Sequence, residues 1–141
     1  MSIYQNDFYQ WTQEQADLLR QGAFPALDVE NLIEEIESMG RSDRRSIRSH
    51  LANVILHLLK WRYQPGKRTS SWEDSVENGR EEVAWLLKDS PSLKGQLTPF
   101  VDEVYSGSRR KASRETGLPL TTFPDQCPFT VEQITGDYWP E

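Results

Sequence analysis

Hydrophobic and polar residues alternate at helical spacing along most of this chain, and the longest such pattern runs from Ser42 to Tyr63. This stretch contains no Gly or Pro, and between Leu51 and Trp61 it is apolar on nearly every side. A helix that is apolar all round must be covered all round. The pattern therefore predicts a central helix over residues 42–63, on which the other helices pack.

Four further segments carry apolar residues at three- and four-residue spacing, which predicts amphipathic helices. They cover about residues 7–22, 28–40, 70–90 and 98–117. On the stripe of the 70–90 segment lies Gly79, and a glycine inside a helix costs about 1 kcal/mol relative to alanine. We therefore expect a close approach to a neighbouring helix at Gly79.

A connection of one or two residues at Gly40 and Arg41 joins the 28–40 segment to the central helix. A connection this tight predicts that the two helices form an antiparallel hairpin. Asp28 has the side chain of a typical N-cap for the first of them. The stripe expected to be buried in this hairpin consists of Val29, Leu32, Ile33, Ile36 and Met39.

The last part of the chain, residues 118–141, holds four of the eight prolines and should be mostly irregular. One short helical turn is predicted from Thr130 to Thr135. The aromatic residues of this tail indicate that it packs on the bundle. Together these patterns predict an all-α fold, a single-domain bundle of about five helices over residues 1–141 around the central helix 42–63.

The formal net charge is −6, but the charges are unevenly distributed. Residues 1–40 contain eight acidic side chains and one basic side chain, whereas residues 41–68 contain eight basic and one acidic. The simpler interpretation is that basic ends of the central helix face acidic helices of the same chain. The alternative is a surface for nucleic acid.

The composition also indicates the cellular compartment of the protein. Cys127 is the single cysteine, so no internal disulfide can form, which favours a reducing cytoplasm. No apolar run approaches the ~18 residues that a membrane span needs, so no membrane association is expected. The first eleven residues lack the basic start and apolar core of a secretion signal.

Several segments resemble the bacterial family described as domain of unknown function 29, which is frequent in cyanobacteria and proteobacteria. They are DFYQWTQEQADLLR, DVENLIEEIESMGRSDRRSIRSHLANVILHLLKWRYQP, DSPSL and ETGLPLTTFPDQCPFTVEQI. The resemblance covers essentially the whole chain and implies an all-helical soluble bacterial protein. It implies no agreed activity and no catalytic residues.

A metal- or His/Glu-dependent hydrolase is one alternative function, with a site between the second and third predicted helices. His50 and His57 are ~10.5 Å apart along a helix at ~1.5 Å per residue, too far to share one zinc ion. The candidate catalytic or metal-binding set is therefore His57 with Glu34 and Glu37 across the hairpin. A histidine on an apolar face is more often a hydrogen-bonded core residue, and neither a metal nor a cofactor is predicted.

Nucleic-acid binding is a second alternative, based on basic clusters in residues 41–48 and 60–68. Aromatic side chains near the second cluster could stack on bases. The candidate contacts are Arg44, Arg45, Arg48, Trp61 and Arg62. The acidic composition of the whole chain argues against this function.

The favoured hypothesis is a protein-interaction or regulatory module with an unknown protein partner. The sequence has no glycine-rich phosphate loop, no G-x-S-x-G and no C-x-x-C. Trp85, which falls off the stripe of its predicted helix, and Trp139 could anchor a partner. This hypothesis is favoured mainly because catalytic signatures are missing, and for the same reason no enzymatic activity is favoured.

Overall fold

The computed structural model describes residues 2–141, and within this range it contains α-helices and short 3-10 segments but no strand. This confirms the predicted all-α class. The 3-10 segments cover Phe24–Ala26, Pro65–Lys67, Pro91–Gln96 and Leu120–Thr122. The α-helices are α1 (Ile3–Asn6), α2 (Phe8–Arg20), α3 (Val29–Tyr63), α4 (Ser70–Asp89), α5 (Leu97–Thr116) and α6 (Val131–Thr135).

Helix α3 is continuous over 35 residues, so the predicted break at Gly40 and Arg41 is wrong. The prediction of an antiparallel hairpin between residues 28–40 and a central helix 42–63 fails with it. Gly40 does not have the positive φ of a helix stop. An interior glycine costs about 1 kcal/mol, whereas a break would leave unsatisfied backbone groups at two new helix ends.

Contacts between residues divide the chain into two compact units, which meet in sequence at Ser42 and Asp43. In the first unit, α2 is connected to the first turns of α3 by the 3-10 segment Phe24–Ala26. Gly22, with φ of 70°, follows the end of α2 as predicted. Trp11 and Gln15 are the buried side chains of α2. The assignment of residues 1–141 to one domain stays a prediction.

The second unit contains the remainder of α3 together with α4, α5, α6 and the connecting segments. Its core is built on α3, and the predicted central stripe is almost completely buried. This stripe consists of Ile47, Leu51, Val54, Ile55 and Leu58. The prediction that the helix over residues 42–63 forms the centre of a helical core is confirmed for its part in this unit.

Helices α3 and α4 approach each other closely at Gly79. A Cβ atom at Gly79 would lie 2.5 Å from Cγ2 of Val54 and 3.4 Å from the carbonyl oxygen of His50. Such distances leave no room for a side chain, so the helices can pack here because position 79 has none. The predicted close approach is confirmed.

Three ends of the later helices carry local capping features. The side chain of Thr69 accepts a hydrogen bond from the backbone N–H of Trp72 at the start of α4. Gly117 ends α5 with a left-handed φ of 76°. Thr130 and Gln133 form a reciprocal capping box at the start of α6. The predicted helical turn from Thr130 to Thr135 is therefore confirmed.

The C-terminal tail packs into the core of the second unit, as predicted, with Phe123, Phe129 and Ile134 buried. A buried guanidinium also anchors it. Arg80 of α4 donates hydrogen bonds to the carbonyl oxygens of Ile134 at 2.9 Å, Gln133 at 2.8 Å and Tyr138 at 2.6 Å. Arg80 therefore joins α4 to backbone groups more than 50 residues later in the chain.

Candidate functional site

The first turns of α3 expose an apolar stripe, which we call the α3 apolar face. It consists of Val29, Ile33, Ile36 and Met39, whose exposed fractions are 54%, 51%, 62% and 63%. At three- and four-residue spacing these side chains share one side of the helix. The prediction that they are buried is wrong, and Leu32 alone among that predicted stripe is half-buried.

Polar contacts join α2 to Asp28, the residue directly before α3. Asp28 accepts hydrogen bonds from Nε1 of Trp11 at 3.0 Å and from Nδ2 of Asn31 at 2.8 Å. The backbone N–H of Asp28 donates to Oε1 of Gln15 at 2.8 Å. The hydrogen bonds from Asn31 and then Trp11 lower the pKa of the Asp28 carboxyl. These bonds connect α2 to the start of α3, whose apolar stripe faces outward.

A second polar contact between the N-terminal segment and α3 involves Tyr4. Its hydroxyl donates a hydrogen bond to Glu35, which raises the pKa of Tyr4 to about 12. The Tyr4 ring also lies 4.7 Å from the ring of Trp11, centroid to centroid, in an edge-on arrangement. Both contacts add to the set of polar and aromatic interactions that orient α3.

An acidic rim runs beside the α3 apolar face. It consists of Glu30, Glu34 and Glu37, all exposed and at helical spacing. At ~100° per residue this row falls next to the apolar stripe, on the side away from the residues that meet α2. Arg41 donates a hydrogen bond to Oε1 of Glu34 at 2.9 Å. The rim thus combines exposed carboxylates with an exposed apolar surface.

His57 is half-buried, and its Nδ1 lies 2.8 Å from the carbonyl oxygen of Asn53. Since a carbonyl only accepts, Nδ1 carries the proton of the neutral ring. Burial is the main cause of a lowered pKa for His57, and Lys60 lowers it further, although the Asn53 carbonyl acts in the opposite direction. This is the geometry of a hydrogen-bonded, neutral histidine.

The hairpin on which the proposed set of His57, Glu34 and Glu37 relied is absent, because α3 continues through Gly40. That set required a turn at Gly40 to bring the carboxylates opposite the histidine, and α3 has no such turn. Within residues 2–141 there is no group of three or more His, Cys, Asp or Glu side chains placed to hold a metal ion. The set of His57, Glu34 and Glu37 itself stays a prediction.

The basic cluster of residues 41–48 makes several contacts inside the second unit. The guanidinium carbons of Arg44 and Arg48 lie 5.6 Å and 5.5 Å from the ring centre of Phe100. Arg48 also pairs with Glu103 at 3.6 Å. Arg45 is exposed. Two of the three arginines proposed to contact nucleic acid are therefore engaged within the chain.

The basic cluster of residues 60–68 is also engaged internally. Lys60 is buried and donates to Oε1 of Glu115 at 3.1 Å. Arg68 donates to the carbonyl oxygen of Trp61 at 3.0 Å and lies over its ring at 4.7 Å. The Trp61 ring in turn packs on that of Trp139, with centroids 4.6 Å apart. Arg62 remains exposed.

The family model described as domain of unknown function DUF29 matches residues 3–139. The chain belongs to this family. The match confirms the resemblance seen in the sequence, and it spans both units of this DUF29 chain. Searches of curated proteins and of solved structures gave no match. In residues 2–141 no helix is both long and apolar enough to cross a membrane.

The second unit of the DUF29 chain has two open clefts that the sequence did not predict. One, of about 750 Å³, lies between α3 and α5 and is lined by His50, Asn53, Arg110 and Lys111, among others. The other, of about 710 Å³, lies between α5 and the tail and contains Cys127. Burial raises the pKa of the Cys127 thiol, which disfavours the reactive thiolate. The shape of a cleft depends on how helices pack, so the local sequence pattern does not predict it.

Trp85 of the DUF29 chain is 53% exposed, in agreement with its predicted position off the stripe of α4. The ammonium nitrogen of Lys88 lies 5.1 Å from the centre of its ring. Trp85 is therefore a single exposed aromatic with a cation beside it. The α3 apolar face differs because it joins four apolar side chains along one helix.

Proposed function

We propose that this chain is a protein-interaction module that binds its partner through the α3 apolar face. The observation that carries the proposal is the exposure of Val29, Ile33, Ile36 and Met39, each by more than half, on one side of α3. Contiguous exposed apolar surface marks interaction sites in soluble proteins. The hydrogen bonds of Trp11 and Gln15 with Asp28, directly before α3, support an outward orientation of this surface.

The energetic reason is the apolar area that a partner would remove from water. Complete burial of a side chain of this size is worth about 1.5–3 kcal/mol, so covering the exposed half of each contributes roughly 1 kcal/mol. Four such side chains together favour binding by roughly 3–6 kcal/mol before the costs of association. This function needs no metal or cofactor, and it is compatible with the cytoplasmic location that the single Cys127 favours.

Site-specific crosslinking in the source cells tests the proposal. A photoreactive residue replaces Ile33 in the full chain, and the matched control replaces Glu81, which is exposed on α4. We expect one adduct of discrete mass from position 33 and none from position 81. The captured protein is then purified, and its Kd for the wild-type chain is measured.

Two variants decide whether the face itself binds. The double variant Ile33→Asp/Ile36→Asp should weaken binding of the captured protein at least about 100-fold, because it places charges in the contact. Trp85→Asp, which changes an exposed aromatic elsewhere, should leave the Kd unchanged. The proposal fails if both positions give the same adducts or if the double variant binds as tightly as the wild type.

A further inference from the structure

We infer that the partner segment that docks on the α3 apolar face is a basic amphipathic helix. This inference rests on the proposed function, because it names the chemistry of the partner for the same surface. It follows from two observations made on the first unit, namely the shape of the apolar stripe and the charges beside it.

The shape of the stripe fits a helix. From Val29 to Met39 it extends about 15 Å at ~1.5 Å per residue, which is about three helical turns. The same unit also exposes Phe8, Leu19 and Phe24, with exposed fractions of 48%, 49% and 62%. Amphipathic helices bind apolar surfaces of this length through side chains at positions i, i+3, i+4 and i+7.

The charges beside the stripe select a basic partner. Glu34 of the acidic rim is paired with Arg41, but within residues 2–141 neither Glu30 nor Glu37 has a cation within 4.0 Å. Residues 1–40 as a whole carry eight acidic side chains against Arg20 alone. A partner helix with Lys or Arg beside its apolar stripe would pair with these carboxylates and be attracted at long range.

The same charges disfavour a second copy of this chain as the occupant. In a symmetric dimer the same surface meets itself. Two α3 apolar faces in contact would bring two acidic rims and two strongly acidic first units together. Like charges across an interface oppose binding, whereas a basic helix relieves the repulsion already present among the glutamates.

Two synthetic peptides of about 18 residues, or about five helical turns, test the inference with the full chain. Both carry the same leucine stripe, but one has lysines and the other glutamates at the flanking positions. Isothermal titration calorimetry should show the lysine peptide binding at least about ten-fold more tightly. Its advantage should decrease when salt is raised from about 0.05 M to about 0.5 M.

Variants of the acidic rim test whether its carboxylates contribute to binding of the lysine peptide. Glu30→Gln/Glu37→Gln should weaken binding of the lysine peptide about three-fold to ten-fold. The matched control is Glu81→Gln/Glu82→Gln, which removes two exposed carboxylates from α4 and should have no such effect. Ile33→Asp/Ile36→Asp should abolish binding of both peptides while circular dichroism shows that the helices are retained.

The remaining outcomes separate this inference from the proposed function. Equal affinity for the two peptides, lost in Ile33→Asp/Ile36→Asp, overturns the basic partner and leaves the docking surface. Failure of both peptides to bind at about 1 mM also overturns it, and the crosslinking experiment then decides on the surface. If sedimentation instead shows a dimer that the Ile variants dissociate, the occupant is a second copy and the inference is wrong.

Discussion

Replacing Gly79 by alanine should destabilise the second unit, although glycine-to-alanine substitutions inside helices usually stabilise. The added methyl group would lie 2.5 Å from Cγ2 of Val54. Val54 is almost fully buried, and its branched side chain has one strongly preferred rotamer in a helix. The side chain therefore cannot turn away, and the two helices must separate or distort.

The magnitude follows from two opposing contributions. Alanine gains about 1 kcal/mol over glycine in helix propensity, and overpacking a core costs about 1–3 kcal/mol. Because the contact is with a stiff side chain, we place the overpacking cost near the upper end. Gly79→Ala should then lower the free energy of unfolding by about 1–2 kcal/mol.

A double-mutant cycle with Val54→Ala tests the cause, using urea unfolding followed by circular dichroism. Val54→Ala removes the methyl group that Gly79→Ala would strike, so in that background the alanine should stabilise by about 1 kcal/mol. Gly107→Ala is the matched control, since a Cβ at Gly107 in α5 meets nothing within 4 Å. The control should stabilise by about 0.5–1 kcal/mol. A stabilising Gly79→Ala in the wild-type chain would refute the reasoning.

Two further predictions concern the second unit. Arg80→Met should cost about 2–4 kcal/mol of stability because three carbonyl groups lose their donor, and limited proteolysis should then cleave residues 118–141 first. The control Arg110→Met, on the exposed side of α5, should change neither the stability nor the order of cleavage. An unchanged cleavage pattern in Arg80→Met would contradict the anchoring role. Folding lowers the pKa of His57 below its ordinary value of 6.5. Below pH 6.5 the unfolded state therefore binds more protons than the folded state, and the stability present above this pH is lost as pH falls towards the folded pKa. His57→Gln should therefore reduce the loss of unfolding free energy between about pH 7.5 and about pH 5.5, and an unchanged pH dependence would count against it.

Local signals in the sequence predicted much of the second unit. The apolar pattern of residues 47–59 indicated a helix covered on several sides, and burial confirms it. Gly117 at the end of α5 and Thr130 at the start of α6 act on backbone groups only a few residues away, which is why these helix limits could be predicted. Gly40 has the same residue type as a helix stop, but a glycine can also continue a helix at modest cost.

The candidate site could be predicted only in part. Periodicity identified the stripe of Val29, Ile33 and Ile36, but it does not tell which neighbour covers a stripe. That outcome depends on Trp11 and Gln15, which hydrogen-bond to Asp28 from another helix. Such bonds between distant residues leave no periodic signal, so an interior face and a binding face have the same pattern in the sequence.

The anchoring of the tail by Arg80 has a consequence for synthesis of the chain. The carbonyl group of Ile134 that accepts from Arg80 follows it by 54 residues. While the polypeptide is growing, this guanidinium has no acceptor of its own and must stay hydrated, because a buried, unpaired cation is costly. Helices α3 and α4 can form early on the ribosome, but the side of α4 that carries Arg80 can close only after α6 has been made. Folding of the second unit should therefore be completed only after the chain up to Tyr138 has left the ribosome.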